Sequence, residues 1–280
     1  MSSPSEDVGA GLLRRWGLPD PGDSKKARGD VLVVGGSRRS PGGAILAGEA
    51  ALRVGAGRLA LLVPGSIDAQ IGIALPEAAV FALPDDARDP FDEDVHEKVQ
   101  AADAVLVGPG FDDADETRGT LMAVSDAYDG VLVLDAFAIG VLPGIDRDGL
   151  PRNLILNLNL EEAAILLDRE LTSDRTADLL EIADRYAAVA HCYGVVATAD
   201  GESWRVPEGG PGLGTSGSGD VLAGAITGFA ARGVDPPRAA VWASWAHSRA
   251  GDRLTDRVGI GFLARDLPPE LTLALKEIGV

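Results

Sequence analysis

Residues 211–224 read Pro-Gly-Leu-Gly-Thr-Ser-Gly-Ser-Gly-Asp-Val-Leu-Ala-Gly, and no other stretch of the chain concentrates so much potential chemistry. Glycines lack side chains, so successive N–H groups can turn inward and form a concave anion nest. The apolar run at 221–231 has helical length and many small residues. A helix starting there aims the positive end of its dipole at whatever the nest holds. Asp220 stands at the junction, where a carboxylate can take a proton from an attacking hydroxyl. Gly217, Ser218 and Gly219 are thus the candidate anion hole, and Asp220 the candidate base. The alternative is a flexible Gly-Ser loop in which Asp220 merely caps the helix. A Gly-Ser-Gly-Asp run placed directly before a helix favours the nest.

A second glycine cluster lies near the N-terminus. Gly35-Gly36-Ser37 follows the apolar run at 31–34, and Pro41-Gly42-Gly43-Ala44 opens a helical stretch reaching residue 55. Such a loop lets the backbone approach a ligand closely. The Gly-x-Gly-x-x-Gly spacing of a dinucleotide-binding turn is missing here.

These loops need a scaffold, and the pattern supplies one. Apolar runs at 31–34, 58–64, 104–107, 131–134, 154–157 and 194–198 predict strands, several closed by glycine or polar residues at their C-terminal ends. Segments 42–55, 117–128, 161–167, 176–191, 221–232 and 237–255 predict helices, and 203–206 alternates like an exposed hairpin arm. Strands alternating with helices predict a mainly parallel sheet with helices on both faces, and ligands across the strand ends. Residues 1–29 are polar and rich in Pro and Gly, predicting an arm or short capping helix before one α/β domain at 30–280.

Composition excludes several classes. The 280 residues are 46% apolar, with no run of membrane-spanning length and no basic-then-apolar leader, which predicts a soluble cytoplasmic protein. The lone Cys192 rules out an intrachain disulfide and a cysteine zinc cluster. Net charge is −18, with lysine only at positions 25, 26, 98 and 276. Such a surface repels nucleic acid and anionic membranes, and it fits a halophilic setting where salt screens the self-repulsion.

The stretch from Val33 through Gly35-Gly36-Ser37 and Pro41-Gly42-Gly43-Ala44 to Gly55-Ala56-Gly57 resembles the ADP- or ATP-dependent NAD(P)H-hydrate dehydratases. These are ribokinase-like enzymes that restore NAD(P)H from its hydrated form. The resemblance covers about residues 12–255 and includes the Gly217-Ser218-Gly219-Asp220 run, Gly108-Pro109-Gly110, Asp135-Ala136, and His247 with Ala250-Gly251-Asp252. It implies a ribokinase-like fold, ADP or ATP as phosphoryl donor, Mg²⁺ as cofactor, NAD(P)H hydrate as substrate and a homotetramer. It further implies that Thr198 and Thr215 bind the nucleotide, that Ala44, Gly110 and Asn159 contact the hydrate, and that Glu162, with Asn159, serves the Mg²⁺–phosphate side.

Three positions depart from the family pattern. Asn157-Leu158-Asn159-Leu160-Glu161-Glu162 stands where relatives carry Thr-Pro-His-Pro-Gly-Glu, so Asn159 aligns with a histidine. Asn159-x-x-Glu162 instead resembles an element of sugar kinases in the same superfamily. Phe137 replaces the second aspartate of an Asp-Ala-Asp element, and Thr198-Ala199 is aligned with a Lys-Gly pair. The alternatives these departures imply are a small-molecule or sugar kinase, or a nucleotide-binding homologue with little catalysis.

Overall fold

The computed structural model describes residues 5–206 and 209–280. Its centre is a sheet of ten strands among the described residues, in the order β1 (Glu6–Asp7), β10 (Ser203–Arg205), β9 (Val195–Ala197), β8 (Val189–Cys192), β7 (Asn153–Leu158), β6 (Val131–Leu134), β5 (Ala104–Val107), β2 (Asp30–Val34), β3 (Arg58–Pro64) and β4 (Ala78–Leu83). From β8 to β4 every pairing is parallel, while β9 runs antiparallel to both β8 and β10.

The continuous apolar strands are explained by burial on both faces. In β2, Val31 and Val33 enter one core while Leu32 and Val34 enter the other. The first core is closed by α1 (Ala10–Trp16), α2 (Gly42–Arg53), α3 (Asp68–Ala74), α9 (Ser218–Ala231), α10 (Pro236–Val258) and α11 (Leu267–Glu277). The second is closed by α4 (Glu93–Gln100), α5 (Ala114–Ala127), α6 (Phe137–Val141), α7 (Leu160–Leu167) and α8 (Arg175–Tyr186). Among the described residues no helix is long and apolar enough to cross a membrane.

Two sequence expectations are corrected. The helix expected over 176–191 ends at Tyr186, where Ala187 turns left-handed (φ 43°), and Val189–Cys192 becomes the buried strand β8. Helical spacing of apolar residues up to Ala183 hid the short strand behind it. The arm at 203–206 is not exposed: Trp204 is buried, with the Trp16 ring edge-on at 6.1 Å, and β1 pairs on its outer side. Among the described residues of this N-terminal segment, β1 and α1 cover the sheet edge, and Leu13 of α1 is fully buried.

Candidate active site

The glycine run forms the start of α9. Gly217 is its N-cap, in the left-handed region at φ 91°, where a Cβ would lie 2.6 Å from the Leu46 side chain of α2. The left-handed conformation is what demands glycine here. The helix begins at Ser218, so Asp220 is its third residue rather than the residue before it. Ser218 donates its N–H to Thr215 O at 3.2 Å, and Val221 donates to Gly217 O at 3.2 Å. The N–H groups of Gly219 and Asp220 fall in the first helical turn, which has no acceptor of its own. Gly219 is exposed, and open space surrounds the point where a Cβ would stand. This is an N-terminal dipole end with free donors facing outward.

Two other loops meet Asp220. The turn after β2 and the turn after β5 are tied by the Gly36 N–H donating to Pro109 O at 2.7 Å. At the first turn of α2, a Cβ on Gly43 would lie 3.1 Å from Asp220 Oδ1 and 2.8 Å from the Gly110 amide N. The carboxylate, the α2 N-terminus and the Gly110 backbone therefore converge on one point. Burial raises the Asp220 carboxyl from 3.8 to about 6, close to working pH and suited to a general base.

Beside this point opens a cavity of about 710 Å³ between the C-terminal ends of β7 and β8, the start of α9 and α10. Asn157, Asn159, Tyr193, Thr215, Gly219 and His247 are among its walls. None of its described lining residues is Lys or Arg, so the chain offers an anion backbone N–H groups there instead of side-chain cations.

Asn159 and Glu162 form a reciprocal capping box at α7. Asn159 Oδ1 accepts the Glu162 N–H and Glu162 Oε2 accepts the Asn159 N–H, each at 2.9 Å. Burial pushes the Glu162 carboxyl up to about 7; the Asn159 N–H opposes this and the Glu161 and Asp220 charges add to it. Its Oε1 has no protein partner among the described residues. No cluster of three ligating side chains exists among the described residues. The donor set fits a cation that keeps most of its water shell and binds chiefly through phosphate, as Mg²⁺ does.

A buried polar chain supports the floor. Asn157 Nδ2 donates to Asp135 Oδ1 at 2.8 Å, and its Oδ1 faces His191 Nδ1 at 2.9 Å. His191 Nε2 in turn meets Ser244 Oγ at 3.1 Å. Asn157 therefore takes the His191 Nδ1–H, leaving Nε2 to accept from Ser244. Burial keeps His191 neutral, with a pKa near 3, and pushes the Asp135 carboxyl well above its usual range, helped by the Asp220 and Glu162 charges. Asn157 Nδ2 also reaches Gly219 O at 3.5 Å, tying this chain to the α9 start. His247, neutral through burial at about 4, braces the same turn from α10, 3.0 Å from Ser218 O.

The structure brings together Asp220, Gly217, Ser218, Gly219, Thr215, Asn159, Glu162 and Gly110. Ala44 is fully buried and lines neither cavity, so the expected contact with the hydrate has no exposed surface to make it. Thr198 is not at the site. Because β9 runs antiparallel, Ala197 pairs with Ala190 and Thr198 follows at the N-terminal end of β8, where its hydroxyl engages Asp200. The turn that does leave a strand into the cavity is Tyr193-Gly194 after β8. Reading the strand one step too late produced the error. Asn157 and His191 were missed as site residues; single polar residues near the C-terminal ends of otherwise apolar strands were the available signal.

Comparison with known proteins agrees with this geometry. The family model described as NAD(P)H-hydrate dehydratase matches residues 31–273. The chain is 41% identical to the ADP-dependent (S)-NAD(P)H-hydrate dehydratase of Xanthomonas campestris, over 94% of each chain. It spans about half the length of the bifunctional NAD(P)H-hydrate repair enzymes it also matches. Its structure is similar to the Bacillus subtilis ADP/ATP-dependent NAD(P)H-hydrate dehydratase co-crystallised with ATP and Mg²⁺, with a TM-score of 0.85 at 26% identity over 98% of this chain and 99% of that one. Arabidopsis thaliana ribokinase shares the fold, with a TM-score of 0.61 at 12% identity over 90% of this chain and 99% of that one. A ribokinase-like α/β chain with its glycine turn and half-buried aspartate at one point of the sheet, it belongs to the NAD(P)H-hydrate dehydratase family.

Proposed function

We propose that this chain dehydrates NAD(P)H hydrate, using ADP or ATP as phosphoryl donor. The observation that carries the reading is the meeting of Asp220 with the open first turn of α9 on one side and the Gly43–Gly110 backbone on the other. The hydrate lies over Gly110 and the α2 N-terminus, with its ring hydroxyl toward Asp220. The nucleotide lies in the cavity over the ends of β7 and β8, with its terminal phosphate at the Gly219 and Asp220 N–H groups.

Asp220 accepts the hydroxyl proton as that oxygen bonds to the terminal phosphorus and the bond to the donor's bridging oxygen breaks. The α9 donors stabilise charge on the transferring group without rearrangement. Phosphate then leaves the ring carbon with its bonding electrons, and loss of a proton from the neighbouring carbon restores the double bond. Asn159 and Glu162, held by their capping box, would hold Mg²⁺ through water beside the phosphates. When bound, that ion neutralises phosphate charge, which the described walls of this cavity, holding no Lys or Arg, do not do with side chains.

The test is recovery of NADPH absorbance from purified hydrate, with ADP and ATP supplied separately. Recovery that depends on a nucleotide supports the reading. Nucleotide-dependent accumulation of a stable phosphorylated alcohol, without NADPH, would replace it with a kinase.

A further inference from the structure

A second cavity, of about 370 Å³, opens over the C-terminal ends of β2, β3, β4 and β5. Ser37, Arg38 and Arg39 line it from the turn after β2, Ser66 from the turn after β3, Pro84 from the end of β4 and Phe111 from the turn after β5. It shares a wall with the reactive point. Gly36 lines the cavity, and a Cβ on Gly110 would stand 3.1 Å from Gly36 Cα. Phe111 follows Gly110 directly, so a ligand seated over Gly110 has a short path into this space. The donor cavity lies on the opposite side of Asp220, over β7 and β8.

The two arginines are exposed cations beside the reactive point with no partner of their own among the described residues. Arg53, Arg58, Arg169, Arg185, Arg253 and Arg257 each hold a carboxylate. Arg38 and Arg39 hold none, and form no hydrogen bond with any described residue, in a protein of net charge −18. Asp85, Asp112 and Glu116 line the same cavity yet leave both guanidinium groups unpaired. Guanidinium forks suit phosphate oxygens in two-point contacts, and carboxylates suit sugar hydroxyls.

We infer that this cavity receives the adenosine half of the dinucleotide substrate, with Arg38 and Arg39 binding its phosphate groups and Phe111 offering a face to the base. The inference rests on the function proposed above and adds how the substrate is gripped away from its reacting ring. The phosphate has two sources within one molecule: the 2′-phosphate, present only in the NADPH form, or the pyrophosphate, present in both forms.

The test is the double variant Arg38→Ala/Arg39→Ala; both side chains are exposed and free of protein partners, so the fold does not depend on them. Steady-state dehydration of NADPH hydrate and NADH hydrate is measured at saturating nucleotide, and NADPH and NADH binding is titrated directly by their fluorescence. Loss of two charge-assisted contacts should raise KM for the affected substrate roughly 10- to 100-fold with little change in kcat. It should also flatten the dependence of binding on KCl. An effect confined to NADPH and its hydrate assigns the arginines to the 2′-phosphate, and an equal effect on both forms assigns them to the pyrophosphate. Unchanged KM and unchanged affinity for both forms, or no binding of NADPH by the unaltered protein, overturns the inference. The fluorescence titration needs no turnover. If NADPH binds through the arginines while no hydrate is dehydrated, the function reading fails and the phosphate site stands.

Discussion

Replacing Asp220 by Asn should make the protein more stable and nearly inactive at once. The amide is isosteric with the carboxylate, so packing against Gly43 and Gly217 is preserved. What changes is charge. Burial raises the Asp220 carboxyl from 3.8 to about 6, so at pH 7 the folded chain carries an anion in a place that disfavours it. At about 1.4 kcal/mol for each tenfold change in proton affinity, that difference is about 3 kcal/mol. The sign follows from linkage. Between pH 6 and pH 4 the folded chain binds the proton more tightly than the unfolded chain, so this group's destabilisation is full above about pH 6 and disappears as pH falls toward 4. The Asn variant lacks it at every pH, and it also relieves the repulsion that Asp220 exerts on Glu162 and Asp135.

Urea unfolding followed by tryptophan fluorescence should therefore show the variant more stable by up to about 3 kcal/mol at pH 7, with a smaller gain at pH 5. NADPH recovery from hydrate should fall by about 10²–10⁴-fold, the usual contribution of a general base. In the unaltered protein the rate should decline about tenfold per pH unit below about 6, as the base becomes protonated. A variant no more stable at pH 7, or one that turns over within threefold of the original, refutes the reasoning.

Other expectations follow from the packing and the charge. Gly224→Ala places a Cβ 2.0 Å from the Ala47 carbonyl oxygen at the α2–α9 contact, so it should cost at least ~1–3 kcal/mol in urea unfolding and also reduce turnover, because those helices carry Gly43 and Asp220. An unchanged midpoint would contradict that contact. Asn159→Ala removes one half of the capping box and should lower stability by about 1 kcal/mol, read from the urea midpoint at constant slope; no change would argue against the box. With a net charge of −18, melting temperature should rise between low salt and molar KCl as repulsion is screened; scanning calorimetry showing no rise, or a fall, would remove the salt-adaptation reading.

The sequence by itself determined the layered α/β plan and pointed to Asp220 as the candidate base. Apolar strand runs punctuated by glycine are a local signal, and so is a Gly-Ser-Gly-Asp run opening an apolar helix; neither depends on what lies across the molecule. It did not determine strand direction at 189–197, because β8 is four residues long and directly follows helix α8 without a glycine or proline to part them. Thr198 was misplaced for that reason, and Tyr193 was overlooked. Nor could it show that Asn159 and Glu162 hold each other, since the same spacing suits a cap and a ligand pair alike. Tertiary structure alone decided the rest. Gly43 and Asp220 are 177 positions apart, and only the packing of α2 on α9 places one within reach of the other. That packing also buries the carboxylate, and burial rather than any neighbour in sequence moves its proton affinity into the working range.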